Sequence, residues 1–569
     1  MVSYFKKTAS RNIAIGGLLL ATLLMGLWLG QQTRQFAHYP PDFDEAVHLL
    51  PVVQVAHALQ QGDWAGFWQA TNEQDQLAAY PFVHSWLAAP IWLLRPGLVA
   101  QRWFSLLCVM GSVMLAGGIG YQVAKQQREL ALLVSGGLVL TSFPLWVYGS
   151  LAYLEGVGLL LTLLAIYCYL RAPAATEANG SGWLLAASLV TAVTFLTKYN
   201  FGIFIMGAIG LNELISWLLT QPRHSPPWER WLRLGLPALP ILLLWFAHSG
   251  RLDRFLYFSQ AQEGQLGIWQ MASWVYYPHS LYAHYMPGMA ALLLVGGGVL
   301  WAIGQWQNGR FRFLLLYLVV SWLLLLIVPQ KVPRFLYTVA PVALLLAGPF
   351  TAWLYGYIAA QRQRIGWAGL AIAAGWLIWW GTAVTHQFSY LQANLDVAFD
   401  SVPTTTTGYD WISQQTLAAG HSVYLLNGWH LFNPYSLQWH HLASQGYTVA
   451  SPLDWTQAQS GLAPEPTPAN LAHLRQQWQA DGIDYLLTID GSPAGAHTGW
   501  AIAEPLLTQG YLQPVASSGP ITLRNWDAAY RERVLAANFT SPAEWLVWQQ
   551  AHHNRYEIRL HLYRLSEPD

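Results

Sequence analysis

Long apolar runs are the feature that most constrains this chain. Most of these runs are about 17 to 22 residues long, the length of a helix that crosses the hydrocarbon core of a bilayer. Only 10% of all residues are charged, whereas about 25% is usual for a soluble protein. The sequence therefore predicts an α-helical polytopic membrane protein with about eleven transmembrane helices. The predicted spans are residues 12–30, 100–121, 129–147, 152–170, 183–198, 201–220, 234–249, 286–305, 313–329, 335–358 and 365–384.

Charge and cysteine content exclude two classes of protein. The 28 basic and 28 acidic residues balance, so the chain lacks the basic excess of a nucleic-acid-binding protein. Its two cysteines, Cys108 and Cys168, both lie inside apolar runs. A disulfide framework and a cysteine-ligated metal are therefore not expected.

The distribution of basic residues predicts the orientation of the helices. If the N-terminus is cytoplasmic, every second connection is basic, as the positive-inside rule requires. We therefore predict a multi-pass protein of the cytoplasmic (inner) membrane whose first helix is an uncleaved signal anchor. The segment 81–94 is too short to span, so we interpret it as an interfacial or re-entrant helix at the outer leaflet. The basic inner connections contain Lys6, Lys7, Arg11, Lys125, Arg128, Arg171, Arg223, Arg230, Arg233, Arg310, Arg312, Arg362 and Arg364.

Two domains follow from this topology. Residues 1–386 form the predicted transmembrane domain, with a first outer loop at about 31–80. Residues 387–569 are more polar and form a predicted extracytoplasmic α/β domain. Its predicted strands are Ser422–Leu426, Tyr485–Ile489, Ile521–Arg524 and Ile558–Leu565, and its predicted helices are Asn470–Ala480 and Ser541–Ala551.

Charged residues on the predicted outer side suggest chemistry at the lipid surface. Asp44 and Glu45 follow the first span, while Lys198 and the pair Lys331 and Arg334 lie on outward turns, where the positive-inside rule disfavours them. Cations at headgroup level can stabilise a phosphate leaving group. A carboxylate can accept a proton from an incoming hydroxyl. Sugar transfer from a polyprenyl phosphate donor needs both functions.

Three short motifs in residues 1–385 resemble known signatures. Phe43-Asp44-Glu45 with Val47-His48 resembles the first-loop motif of the protein O-mannosyltransferases, glycosyltransferase family 39. Leu196-Thr197-Lys198-Tyr199 and the segment from Lys331 to Pro341 are similar to further signatures of the wider GT-C class of membrane glycosyltransferases.

The resemblance implies a role for each of these residues. It makes Asp44 the catalytic base or a neighbour of a metal ion, with Glu45 shaping the site. It makes Lys198, Lys331 and Arg334 contacts to the donor phosphate. Many relatives carry an aspartate in the second outward loop, where this chain has Glu155, and the resemblance makes Glu155 the substitute for it as a substrate-binding residue.

Two histidines extend the candidate site. His48 follows Glu45 by three residues, so both point the same way on a helix. One hypothesis is a divalent metal ion held by Asp44, His48 and Glu155. In the alternative, His48 is structural and the acidic side chains are solvated or cap a helix. His84 is either a contact to substrate or metal or an interfacial side chain. The cations Lys198, Lys331 and Arg334 can also simply reach lipid headgroups.

One pair of polar residues falls inside a span. Asn212 and Glu213 lie towards its cytoplasmic end, and we predict hydrogen bonds from them to other helices.

The favoured function is an inverting glycosyltransferase. The expected partners are a polyprenyl phosphate sugar in the outer leaflet, membrane lipids and a lipid, glycan or protein acceptor; nucleic acid is not expected. The sequence leaves the sugar and the acceptor open. Alternatives are a transporter or flippase for a lipid-linked glycan, a membrane-bound sensor or assembly protein, and an oligosaccharide ligase or polymerase with a diphosphate-linked donor.

Overall fold

The structure is a computed structural model and describes most of the chain. The last predicted span, 365–384, the predicted domain boundary and the helix predicted at Ser541–Ala551 lie outside the described residues. The described residues are 2–35, 43–78, 80–172, 181–219, 228–248, 250–252, 268–286, 289–328, 331, 333–360, 402–426, 434–444, 458–461, 467–490, 496–524 and 555–566.

The described helices of the apolar part cover the predicted runs up to residue 360, and further helices lie outside these runs, two of them in the predicted first outer loop. In chain order they are α1 (Val2–Gln35), α2 (Phe43–Gln61), α3 (Trp64–Ala78), α4 (Val83–Leu94), α5 (Leu98–Val123), α6 (Arg128–Leu140), α7 (Phe143–Gly149), α8 (Leu154–Arg171), α9 (Ser181–Phe195), α10 (Tyr199–Leu219), α11 (Trp228–Gly235), α12 (Leu239–Phe246), α13 (Met271–Ser280), α14 (Met289–Gly304), α15 (Gly309–Ile327), α16 (Ala340–Leu345) and α17 (Ala347–Ala360). A π-helical turn, Leu281–Tyr285, follows α13, and a 3-10 turn, Pro333–Leu336, precedes α16.

Six stretches of the described residues are long and apolar enough to cross a membrane, and each coincides with a predicted span. They are Ala9–Gln31, Leu98–Val123, Leu154–Arg171, Tyr199–Leu219, Gly309–Ile327 and Ala340–Ala359. Shorter apolar helices occupy Val83–Leu94, Gly182–Phe195 and Met289–Gly304. The chain is therefore a multi-pass membrane protein, while the count of eleven spans stays a prediction.

Prolines divide two of the predicted spans. The run 129–147 forms α6 and α7, and Pro144 lies in the first turn of α7. The run 234–249 overlaps α11 and α12, and Pro240 lies in the first turn of α12. Proline has no N–H to donate to the preceding turn, so it fits the start of a helix and interrupts its interior.

Close helix contacts show which ends of the spans lie together. Gly156 at the start of α8 lies against Ser105 near the start of α5, and Gly118 lies against Tyr167 further along. These two helices are therefore parallel. We call the end of the bundle at which both begin the Glu155 end, and the opposite end the Arg171 end.

The helices α10 and α15 are antiparallel. Gly207 lies against Val320, and Arg312 near the start of α15 donates a hydrogen bond to Asn212 late in α10. The turn before α10 and the segment after α15 therefore lie at one end of the bundle.

Three helices, α2 to α4, lie between α1 and α5 in the chain. A cluster of buried apolar residues joins α2, α3 and α4 to the start of α5. The helix α4 has 12 residues and is about 18 Å long. That is shorter than the ~30 Å hydrocarbon core, as expected for an interfacial or re-entrant helix.

The C-terminal part contains a six-stranded mixed sheet. Its strands are β1 (Val423–Leu426), β2 (Ala458–Gly461), β3 (Tyr485–Asp490), β4 (Leu512–Ser517), β5 (Ile521–Arg524) and β6 (Arg555–Leu565). The order is β2-β1-β3-β6-β4, with β5 also paired to β6. The strand β1 is parallel to β2 and β3, whereas β6 is antiparallel to β3, β4 and β5. Its described helices are α18 (Val402–Gln415), α19 (Pro434–Ser444), α20 (Pro468–Ala480) and α21 (Ala496–Thr508).

The helix α19 connects the sheet to the membrane part. Trp439 and Leu442 of α19 belong to the same buried apolar cluster as residues of α2 and α4. The ring of Trp439 lies 5.5 Å from that of Trp92 in α4, centroid to centroid. The C-terminal part therefore packs directly against α2, which carries the first candidate residues.

Candidate active site

Glu155 lies at the centre of a buried charge cluster. It occupies the first turn of α8, where the helix dipole favours a negative charge. Its Oε1 accepts a hydrogen bond from Lys198 Nζ at 2.8 Å, and Arg334 Nε lies 3.4 Å from the same oxygen. Glu155 and Lys198 are both buried. The structure thus brings together three predicted residues that are far apart in sequence.

The turn that carries Lys198 is tight for a local reason. Its backbone N–H donates to Thr194 at the end of α9, and its carbonyl accepts from Phe201 in α10. A Cβ on Gly202 would lie only 2.3 Å from that of Phe195. Glycine therefore allows α9 and α10 to approach closely and fixes Lys198 between them.

Aromatic rings surround the two cations. The Lys198 Nζ lies 5.1 Å from the ring centroid of Tyr80 and 5.4 Å from that of Phe201. The guanidinium of Arg334 lies 5.3 Å from the ring of Tyr153. Aromatic rings attract cations through the ring quadrupole. These rings therefore hold Lys198 and Arg334 in place without neutralising their charges.

Glu45 forms a second buried ion pair, with Arg102. The guanidinium of Arg102 in α5 donates from Nε at 2.8 Å and from Nη2 at 2.6 Å to the two carboxylate oxygens. Glu45 Oε1 also accepts the backbone N–H of Ala152, 2.8 Å away, just before α8. Glu45 therefore joins α2, α5 and the start of α8, which indicates that it positions α2. The sequence interpretation missed Arg102, although an arginine inside an apolar run is itself a signal of a polar site.

Asp44 directly precedes Glu45 in the first turn of α2. Its side chain lies outside the described part of the structure. The ion pair of Glu45 nevertheless fixes the turn on which Asp44 stands. Its predicted role as the base stays a prediction.

Two histidines lie beside the Glu155 cluster. His48 follows Glu45 by one turn of α2, and its ring lies 5.3 Å from that of Tyr80 and 6.2 Å from that of His84 in α4. His84 is buried, and neither of its ring nitrogens has a hydrogen-bond partner among the described residues. Burial lowers the pKa of His84 to about 4, although the negative charge of Glu155 acts in the opposite direction. His84 is therefore a neutral imidazole at pH 7.

Lys331 lies where its ammonium group caps a helix. Its Nζ donates to the carbonyls of Leu325, Leu326 and Val328 at 2.8, 3.0 and 2.5 Å. These carbonyls lie at the C-terminal end of α15, where they have no partner within the helix. Burial lowers the pKa of Lys331 to about 8. An ammonium group has only three protons to donate. A contact from Lys331 to the donor phosphate would therefore require one of these three hydrogen bonds to break. The phosphate-binding role of Lys331 stays a prediction.

The described donors do not fit the predicted metal site. Among the residues that the structure describes, no three His, Cys, Asp or Glu side chains lie close enough to hold a metal ion. Glu155 is already paired with Lys198 and Arg334, and two cations beside it would repel a divalent ion. The side chain of Asp44, the third member of the predicted set, is outside the described part.

The fold is that of the GT-C class of membrane glycosyltransferases. Residues 76–248 match the sequence profile of the family described as dolichyl-phosphate-mannose-protein mannosyltransferase. This segment contains His84, Arg102, Glu155 and Lys198. Among proteins of curated function, none matches the chain in sequence.

Two solved structures illustrate the shared fold. ArnT from Cupriavidus metallidurans in the apo state is 14% identical, with a TM-score of 0.53 over 88% of this chain and 96% of ArnT. The apo oligosaccharyltransferase of Archaeoglobus fulgidus is 9% identical, with a TM-score of 0.60 over 97% of this chain and 88% of that enzyme. The predicted helical membrane fold of the GT-C type is therefore confirmed, whereas the count of eleven spans and the extracytoplasmic position of the C-terminal domain stay predictions.

Proposed function

We propose that this protein is an inverting glycosyltransferase that moves a sugar from a polyprenyl phosphate donor to a hydroxyl acceptor. The observation that carries the proposal is the pair of cations, Lys198 and Arg334, against the single carboxylate of Glu155. The matched family and the shared fold support it. ArnT has also been solved bound to undecaprenyl phosphate, and the archaeal enzyme in complex with a dolichol-phosphate.

Lys198 and Arg334 would stabilise the leaving group. Glu155 neutralises one of these two charges, so one positive charge remains for the departing lipid phosphate. The cluster is largely buried, and fixed charges act most strongly where water is excluded. The carboxylate also keeps both cations in place before the donor binds.

Asp44 would be the general base. It would accept the proton of the acceptor hydroxyl while that oxygen bonds to the anomeric carbon. In the same step the bond from this carbon to the phosphate oxygen breaks, and its electrons leave with the lipid phosphate. A single displacement of this kind inverts the configuration of the sugar. Glu45, held by Arg102, would act by positioning the turn that carries Asp44.

The site would face the extracytoplasmic side of the cytoplasmic membrane. Arg128, Arg171 and Arg310 are near enough to interact electrostatically and lie at the Arg171 end, opposite Glu155. The positive-inside rule assigns such a cluster to the cytoplasm. The C-terminal part, which packs on α2, would then also be extracytoplasmic.

A divalent ion held by Asp44, His48 and Glu155 is the less favoured form of the site. The archaeal oligosaccharyltransferase has been solved in complex with Zn and sulfate. Because Glu155 is paired here with two cations, no step of our mechanism uses a metal. We expect turnover to survive a chelator.

The proposal is tested by incubating purified protein with a panel of polyprenyl phosphate sugars, with and without chelator. Release of polyprenyl phosphate from one donor is expected, and Asp44→Asn should abolish it. The matched control is Asp481→Asn, because Asp481 is an exposed residue of the C-terminal part. Consumption of no donor, or full turnover by Asp44→Asn, would contradict the proposal.

A further inference from the structure

His84 is a buried polar side chain beside the Glu155 cluster that the proposed mechanism does not use. It lies in the first turn of α4 and is only 3% exposed. Neither of its ring nitrogens has a hydrogen-bond partner among the described residues. Buried polar groups of this kind are rare in folded proteins, and each needs a partner such as a water, an ion or a ligand. The surroundings of His84 indicate which partner it has.

The start of α4 lies against the turn that carries Lys198. The backbone N–H of Val83 donates a hydrogen bond to the carbonyl of Leu196, two residues before Lys198, at 3.1 Å. His84 is the next residue of α4, and it is near enough to the carboxylate of Glu155 to interact with it electrostatically. His84 therefore lies close to the cations that we assign to the donor phosphate.

His84 also lies beside the helix that carries the proposed base. Its ring is 6.2 Å from that of His48, which follows Asp44 by four residues, so these two positions are neighbours on one face of α2. The ring of Tyr80 lies 5.3 Å from that of His48 and 5.1 Å from the Nζ of Lys198. We call the side chains of His48, Tyr80 and His84 the aromatic wall. This wall extends from Lys198 to the face of α2 on which Asp44 stands.

The proposed reaction places the donor sugar along this wall. The anomeric carbon is bonded to the phosphate oxygen, and the phosphate is held by Lys198 and Arg334. The same carbon is attacked by the hydroxyl that Asp44 deprotonates. The sugar must therefore lie between the two cations and the first turn of α2, which is the interval that the aromatic wall spans.

The hydrogen-bonding capacity of His84 matches the sugar better than any other part of the donor. A neutral imidazole donates from one nitrogen and accepts at the other. The polyprenyl chain has no polar atom, and the phosphate group only accepts hydrogen bonds. Each sugar hydroxyl can both donate and accept. The ring of Phe104, 6.5 Å from that of His84, offers neither.

We propose that His84 binds a hydroxyl of the donor sugar and thereby selects which sugar is transferred. A donor that lacks this hydroxyl leaves a buried nitrogen without a partner and is rejected for that reason. Tyr80 and His48 complete the wall of the same subsite. This inference rests on the proposed function and deepens it, because it assigns the sugar of the donor, rather than its lipid or the acceptor, to the start of α4.

The test compares donors that differ by one hydroxyl. The polyprenyl phosphate sugar that the wild type consumes is prepared as a set of analogues, each lacking one sugar hydroxyl. Release of polyprenyl phosphate by the full protein in detergent gives kcat/KM for each, with no acceptor added, so that water takes the sugar. One analogue should be about tenfold poorer than the complete donor. An analogue can also differ in its own reactivity, and comparison with variants of the protein removes this effect.

The informative variant is His84→Phe, which keeps a ring but has no nitrogen. It should use the complete donor about tenfold less well, and it should no longer discriminate against the poor analogue, because both changes remove the same hydrogen bond. The ratio compares two donors on one preparation, so a smaller folded fraction cancels. His84→Gln, which has both a donor and an acceptor, should retain part of the discrimination.

The matched control is His57→Phe. His57 is a half-buried histidine of α2 whose Nε2 also has no partner among the described residues. It lies about 14 Å along the helix from His48, away from the aromatic wall. His57→Phe should discriminate between the donors as the wild type does. Loss of discrimination in this variant would show that the effect is not specific to the wall and would contradict the proposal.

Three further outcomes would overturn the role of His84 and leave the proposed function intact. These are equal use of all analogues by the wild type, wild-type discrimination by His84→Phe, and discrimination that appears only when a total membrane extract is added as a source of acceptor. The last result would assign His84 to the acceptor. Failure of the wild type to consume any donor would instead refute the proposed function, and this inference with it.

Discussion

Two buried charge clusters lie at opposite ends of the helix bundle and are built differently. The cluster near the Arg171 end, which we call the Glu213 network, consists of Tyr169, Asn212, Glu213, Arg230 and Arg312. Tyr169 donates to Glu213 at 2.7 Å and accepts from Asn212 at 2.7 Å, while Arg230 donates to both oxygens of Glu213 at 2.8 Å. Arg312 donates to Asn212 at 2.9 Å and to Ser216. Each of these side chains has a polar partner.

The Glu155 cluster is satisfied less completely. Its carboxylate is paired with two cations, yet His84 beside it has no hydrogen-bond partner among the described residues. Fully bonded polar networks make a fold rigid, whereas a buried polar group without a protein partner needs another one, such as water, an ion or a ligand. Charge inside a membrane bundle therefore does not by itself mark an active site.

The largest effect on stability is expected at the Glu213 network. Arg312→Gln removes a buried guanidinium that links α15 to α10 and leaves Asn212 and Ser216 without its hydrogen bonds, which should cost about 3 kcal/mol. Thermal unfolding in detergent should show a large fall in Tm. Turnover per folded molecule should stay at the wild-type level. A large loss of turnover in the folded fraction would show that the Glu213 network also serves catalysis and would contradict this distinction between the two clusters.

Of the two clusters, the Glu155 cluster is expected to show the larger effect on rate. Arg334→Gln leaves the pair of Glu155 and Lys198 intact but removes a charge aimed at the leaving phosphate. Loss of one such donor costs about 100- to 1,000-fold in kcat. Steady-state release of polyprenyl phosphate measures this loss, and Tm should change little. A normal kcat would remove Arg334 from the proposed site.

A pH dependence of stability should arise from His84. Its pKa of about 4 in the folded protein lies below the ordinary value of 6.5, so the fold favours the neutral ring. This contribution to stability is complete above pH 6.5 and is lost as the pH falls towards 4, by about 3 kcal/mol.

The measurement is Tm between pH 7 and pH 4 for the wild type and for His84→Gln. The wild type should lose more stability than the variant over this range. Parallel curves would show that His84 is not buried in its neutral form. The Glu213 network contains no histidine, so Arg312→Gln should not alter this pH dependence.

The smallest effect is expected for Lys331→Met. Loss of a cation that caps the last carbonyls of α15 should cost about 1 kcal/mol of stability. Turnover should change less than about threefold, because Lys331 donates its protons to the helix. Measurements of Tm and kcat on the same variant test these two expectations. A drop in kcat as large as that of Arg334→Gln would instead support the predicted contact of Lys331 with the donor phosphate.

Most of the membrane helices were predictable because an apolar run has few other stable structures in a bilayer. The strands β1, β3 and β5 were also close to their predicted bounds. The strands β2 and β4 were missed for a physical reason. Ala458–Gly461 has no β-branched or aromatic residue, and Leu512–Ser517 contains Pro514, so only pairing with neighbouring strands makes these segments extended.

The site was predictable in part. Lysine is rare on outward turns, so the sequence singled out Lys198 and Lys331. In the structure Lys198 donates a hydrogen bond to Glu155, whereas Lys331 donates to helix carbonyls. Asn212 and Glu213 form the predicted bonds to other helices. The partner of Glu45, Arg102, was missed because the two residues are 57 positions apart and belong to different helices.

The sequence alone determined that this chain crosses a membrane many times, because only helices can bury so many apolar residues and also satisfy their own backbone in lipid. It also determined which residue types were available for chemistry near headgroups. Tertiary structure alone decided which charges meet. Hydropathy predicts how deep in the membrane a residue lies. Which helices become neighbours decides that Glu155 pairs with Lys198 and Arg334 and that Glu45 pairs with Arg102.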